Sequence, residues 1–161
     1  MAEGVLDIVL FGAEISFVRE NGDMLQTDDP EYEHISVRVK KLTLLRIAVF
    51  CVNRFAQGRA PVTSLSIADH LNLSVNITSV FMEKLVHIRI LFKVSDPEPG
   101  FTPARDIECL SVMDVVTAFE NMGEDDLYLG DTLALSALEQ SLESFAAAAR
   151  QSPGEQFLKD I

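Results

Sequence analysis

The sequence predicts a mainly α-helical chain with a small β-hairpin, and three observations carry that prediction. Apolar residues recur at three- and four-residue spacing in five separate stretches, hydroxyl residues and glycines bracket those stretches as caps, and one short β-prone run meets a turn rich in proline and glycine. With 161 residues, 48% of them hydrophobic and 24% charged, the chain can bury one modest core and still carry an extension.

An apolar run over residues 5–18 opens the chain, interrupted by Asp7 and Glu14. Spanning a bilayer takes about 20 mostly apolar residues, so this run cannot cross one alone, and Ala2-Glu3-Gly4 supplies no positive flank for a secretory signal. Residues 20–33 turn polar and acidic, with Asn21-Gly22 and Asp29-Pro30 as turn signals, and read as a linker or exposed loop. Its acids lack the alternating ligands, central glycine and closing glutamate of a calcium loop.

The first strong helix covers residues 39–55. Leu42, Leu45, Val49 and Val52 step by three or four, and Leu44, Ile47, Phe50 and Cys51 widen the apolar face until the helix reads as buried on most sides. Gln57-Gly58 ends it and Pro61 follows. Thr63 and Ser64 are cap candidates for a short helix carrying Ile67, Ala68 and Leu71, and Asn72-Leu73-Ser74 is a tight connection. A third helix over residues 75–88 sets Ile77, Val80, Phe81, Leu85 and Ile88 on one side, against Asn76, Ser79, Glu83 and His87.

Residues 90–94 are β-prone, residues 96–100 form a turn and residues 101–103 return as a strand. Helix, short helix, longer helix and hairpin in this order spell a winged helix-turn-helix plus C-terminal helices. Ser111 caps a helix over residues 112–122, stopped by Gly123. The last helix, residues 133–150, aligns Leu135, Leu138, Leu142, Phe145 and Ala149 in a narrow stripe. Such a stripe docks on the chain's own core or, less commonly, on a protein partner or second copy. Beyond Pro153 the tail is expected to fray. The organisation is then an N-terminal helix at 1–19, an acidic linker at 20–36, a winged-helix domain at 37–106 and a helical extension at 107–161.

Charge and chemistry exclude more than they assign. A formal net charge of -12 makes the average surface repel phosphate. Over residues 75–89 two bases, Lys84 and Arg89, face one acid, Glu83, and the outward positions at the start of that helix are Asn76, Thr78 and Ser79. These features argue against nucleic acid as a partner. If DNA is bound, Arg59, Lys84, Lys93 and Arg105 are the candidate phosphate contacts; if protein is bound, Asn76, Ser79, Glu83 and His87 form the candidate face. Cys51 and Cys109 lie far apart, which favours a reducing compartment, and His34, His70 and His87 lack helical pairing, so no metal or other cofactor is expected. No nucleophile-base pair or dense carboxylate cluster stands out, and no catalytic residue is assigned.

The order of segments resembles the C-terminal part of the YihY/BrkB family of inner-membrane proteins, also labelled ribonuclease BN-like. The resemblance rests on Phe11-Gly12-Ala13-Glu14-Ile15-Ser16-Phe17, Arg38-Val39-Lys40-Lys41-Leu42, Pro61-Val62-Thr63, Gly100-Phe101-Thr102-Pro103-Ala104-Arg105-Asp106 and Ser111-Val112-Met113-Asp114-Val115-Val116. It implies that residues 1–19 are the remnant of a last transmembrane helix. It also implies a non-catalytic interaction domain on the cytoplasmic side of a bacterial inner membrane, whatever the ribonuclease label says. The wing and the helix after it also look like those of winged-helix repressors that carry iron-sulfur clusters or sense nitric oxide and cysteine metabolism. Those that hold a cluster use several clustered cysteines, which this chain does not have. The alternative function is accordingly a free-standing winged-helix transcriptional regulator.

Overall fold

The computed structural model describes residues 30–95, 99–123 and 127–161, and the chain divides into two units, Met1–His34 and Ile35–Ile161. The apolar run at 5–18, the 1–19 segment, the turn at Asn21-Gly22, the wing tip at Asp96, Pro97 and Glu98, and the acids Glu124, Asp125 and Asp126 lie outside the described residues. In the first unit, within the stretch read as linker, Pro30–His34 form a short helix, α1, with Tyr32 buried. Proline suits its first position, where no amide hydrogen is needed.

The second unit opens with α2 (Val37–Ala56), where Ser36 caps the helix by accepting a hydrogen bond from the Val39 amide at 3.3 Å. Leu44, Ile47, Ala48, Cys51 and Val52 are fully buried, but Leu42 is exposed and Leu45 and Val49 are half-buried. The helix therefore buries one side rather than most sides, and its second apolar face borders a cavity. Gly58, at φ +65°, turns the chain in a conformation that a side chain disfavours.

Thr63 caps α3 (Ser64–Leu71) and Ser74 caps α4 (Val75–His87), each through its hydroxyl. Between them Asn72 takes the left-handed conformation, at φ 55° and ψ 49°, which asparagine tolerates better than most residues. This three-residue turn fixes α3 against α4. Ile77, Val80, Phe81, Met82 and Leu85 pack the inner face of α4.

Strands β1 (Leu91–Val94) and β2 (Gly100–Pro103) pair antiparallel, with Leu91 opposite Pro103 and Val94 opposite Gly100. Val62 adds a rung: its amide donates to the Phe101 carbonyl at 2.9 Å, and the Phe101 amide donates back at 2.8 Å. The segment between α2 and α3 is thereby stitched to the wing. Gly100 is required by space, because a Cβ there would lie 2.8 Å from the Pro61 Cβ.

Ser111 and Asp114 form a reciprocal capping box on α5 (Val112–Glu120), which ends before Gly123 is reached. Helix α6 (Leu133–Arg150) follows with Thr132 as its cap. The tail does not fray. Leu158 is fully buried in a 3-10 turn (Leu158–Asp160), its amide donates to the Leu110 carbonyl at 2.9 Å, and Ser111 and Phe157 form a bridge. An apolar side chain inserted beside α2 outweighs the polar look of the residues around it. The architecture is mainly α with a small hairpin, a winged helix-turn-helix plus C-terminal helices.

Candidate nucleic-acid interface

In a helix-turn-helix the second helix presents its N-terminal turns to the major groove. Here that helix is α4. Its buried positions leave Val75, Asn76, Glu83 and His87 exposed on the opposite side, with Ser79 half-buried among them. Thr78 does not face outward. It is fully buried, and its hydroxyl donates to the Ser74 carbonyl at 2.8 Å, which places it among the groups that hold the turn. The first turns thus display the Asn76 amide and the Val75 side chain, groups suited to adenine edges and thymine methyls, while the Ser79 hydroxyl donates to the Val75 carbonyl at 2.9 Å and keeps its oxygen to accept from a base amino group.

The four candidate phosphate contacts fall in different settings. Lys93, on β1, pairs with Glu83 at 2.9 Å and lies 5.6 Å from the Phe101 ring centroid, which ties the wing to α4. Arg105 donates to the Arg89 and Ile88 carbonyls at 3.0 and 3.4 Å and so covers the C-terminal end of α4. Lys84 is half-buried on α4, and Arg59 is exposed after α2, where it lines the cavity. Arg89, counted in the charge of residues 75–89 but left out of the candidate phosphate contacts, is exposed at φ 56° directly after α4, between that helix and the wing.

A second signal was averaged away by the net charge of the whole chain. Between residues 35 and 95 stand Arg38, Lys40, Lys41, Arg46, Arg54, Arg59, Lys84, Arg89 and Lys93, opposed only by Asp69 and Glu83. That stretch contains α2, α3, α4 and β1. The excess of acid lies before it and after it, outside the helix-turn-helix. A polyanion responds to the local field within about 10 Å rather than to the protein's total charge. The formal sign over that stretch is therefore positive, which corrects the argument from total charge against nucleic acid, although Arg46, Arg54 and Arg59 border the cavity against α2, Lys41 pairs with Glu120 and Lys93 with Glu83.

Among the described residues no group of three or more metal-binding side chains is brought together, and Cys51 is buried while Cys109 is exposed. Burial pushes the Cys51 thiol up to about 12, with the neighbouring Arg54 charge opposing the shift.

The chain matches no protein-family model and no curated protein sequence. Solved structures similar to it include IscR of T. potens, at 19% identity over 73% of this chain and 81% of that one, with a TM-score of 0.49. CymR, the global cysteine regulator of B. subtilis, is 15% identical over 73% of this chain and 86% of its own, with a TM-score of 0.49. CymR of Staphylococcus aureus is 18% identical over 70% and 86%, at 0.47.

These findings overturn the resemblance to the YihY/BrkB family. No family model supports it, and the similar structures are IscR and CymR rather than the tail of a membrane protein. The motifs behind it have a local explanation: Pro61-Val62-Thr63 and Gly100-Phe101-Thr102-Pro103 are the segments that build the wing and its third rung. The inner-membrane placement and the ribonuclease label rested on that resemblance and fall with it, and the interaction-domain reading, which rested also on the argument from total charge, is corrected with them. Among the described residues no helix is long and apolar enough to cross a membrane.

Proposed function

We propose that this chain is a non-catalytic, winged-helix DNA-binding regulator of transcription that acts as a dimer through α6. The observation that carries the reading is the concentration of positive charge between residues 35 and 95, on the same stretch that forms the helix-turn-helix and first wing strand. Asn76 and Ser79 at the start of α4 read base edges, with Val75 on thymine methyls; Arg89 and Lys84 neutralise phosphates beside it. Lys93 reaches phosphate once the exposed Glu83 pair yields, at a small cost because such surface pairs are weak.

The second half of the proposal concerns α6. None of its 18 residues is buried, and Leu138, Leu142 and Phe145 stand 63%, 69% and 70% exposed, with Leu135 half-buried. Among the described residues nothing buries this stripe. An isolated helix of this length is marginal in water, and a second copy supplies the missing apolar partner. Two reading helices related by a twofold axis recognise half-sites about 34 Å apart, one turn of duplex.

Selection from a random duplex library tests the reading. The expected product is an inverted repeat with half-sites one helical turn apart. Asn76→Ala relaxes preference at one position per half-site by about 1–3 kcal/mol, whereas Arg89→Ala weakens all sequences alike. Absence of both enrichment and retention at low salt contradicts the proposal.

A further inference from the structure

An open cavity of about 470 Å³ lies against α2, within the second unit, and its lining is mostly apolar, with Leu42, Leu45, Val49 and Phe50 among the contributors. Its charged side chains share one sign, beside the neutral amides of Asn53 and Gln57, and Ile161 at the end of the sequence also borders it. Arg46, Arg54, Arg59 and His70 border it, and no aspartate or glutamate side chain does. The lining comes mostly from the stretch of residues 35–95, in which Asp69 and Glu83 are the only acids.

Arg54 stands out among them. Its Nε is buried without a hydrogen-bond partner among the described residues, and it forms no ion pair there. The guanidinium carbon sits 5.8 Å from the Phe50 ring centroid, and the Phe50 and His70 rings lie 4.4 Å apart, tilted by 34°. A buried cationic donor left unsatisfied is costly, and the planar guanidinium fork is matched best by a carboxylate. The volume falls in the range of small-molecule sites, in which an apolar lining holds the body of a ligand and a few polar groups fix its orientation.

We propose that this cavity is a binding site for a small aromatic carboxylate, with the ring against Phe50 and His70 and the carboxylate on Arg54, assisted by Arg59. The site is separate from the outward face of α4, and its occupancy does not depend on DNA binding. Charge complementarity distinguishes this occupant from an apolar segment or a second copy, which leaves the Arg54 donor unanswered.

Titration of the full-length chain with 2-naphthoate and with its neutral isostere 2-naphthamide tests the proposal, by calorimetry and naphthyl fluorescence. Saturable 1:1 binding of the carboxylate, at least about tenfold tighter than the amide, is the expected result, since a charge-assisted hydrogen bond is worth that much. Arg54→Gln removes the preference while leaving amide binding unchanged, and Val49→Trp, which fills the cavity, removes both. Should Arg54→Gln fail to fold by circular dichroism, the exposed Arg59→Gln decides the matter through a several-fold drop in preference. No saturable binding, equal affinity for the two compounds, binding that survives Val49→Trp, or a preference untouched by the arginine substitutions would overturn the proposal.

Discussion

Gly100 and Asp114 show how single side chains hold the wing and the extension in place. A methyl group at position 100 meets the Pro61 Cβ at 2.8 Å and the Pro61 carbonyl carbon at 3.0 Å, with backbone rather than a flexible side chain behind it. Gly100→Ala is expected to cost about 1–3 kcal/mol of stability, read from thermal or urea unfolding. Burial alone would raise the Asp114 carboxyl, but hydrogen bonds from the Ser111 amide and the Arg150 guanidinium, the latter at 3.1 Å, outweigh it and hold the group below its ordinary value. A depressed native value stabilises the fold at pH above the unfolded value and loses that contribution as pH falls through the native one. Asp114→Asn should therefore flatten the decline in stability below about pH 4, and an unchanged acid limb counts against this role. At the same scale, Cys51 is held protonated by burial whereas Cys109 is exposed, so a thiol reagent at neutral pH should label one cysteine per native chain and both after unfolding, as counted by mass spectrometry.

At the scale of elements, helix caps were the most legible feature. Ser36, Thr63, Ser74, Ser111 and Thr132 each accept a hydrogen bond from the first turn they precede; the sequence marked Ser111 outright and Thr63 as one of two candidates with Ser64, because a hydroxyl stood before an apolar period. The order of helices and hairpin was equally readable, since each period and turn is local. What the sequence hid was which apolar face meets which neighbour. Leu42, Leu45 and Val49 keep the same spacing as a core stripe yet border a cavity, and Leu158 in a polar tail inserts fully beside α2. Helix α6 is the sharpest case, because a stripe of this spacing looks the same whether its partner belongs to the chain or to another copy. Leu142→Glu is expected to shift the chain from dimer to monomer in sedimentation velocity and to weaken DNA binding with it. A dimer that survives Leu138→Glu combined with Leu142→Glu sinks this use of α6.

At the scale of the whole molecule, the decisive property is the distribution of charge. The total of -12 conceals a stretch from 35 to 95 in which bases far outnumber acids, flanked by acidic sequence on both sides. Helix α4 was legible as a helix, but its candidate contacts were harder to judge, because Arg105 and Lys93 are equally basic in sequence whether they face phosphate or, as here, a helix end and Glu83. On the proposed reading, affinity for DNA should fall quickly when salt screens the local field. The most direct test is the affinity of the full-length chain for its selected duplex, measured by fluorescence anisotropy from about 50 to 200 mM salt. The account predicts that log K declines linearly with log salt at a slope of about -4 or steeper, as several phosphates are neutralised per complex. Undetectable binding at the lowest salt, or an affinity indifferent to salt, would contradict it.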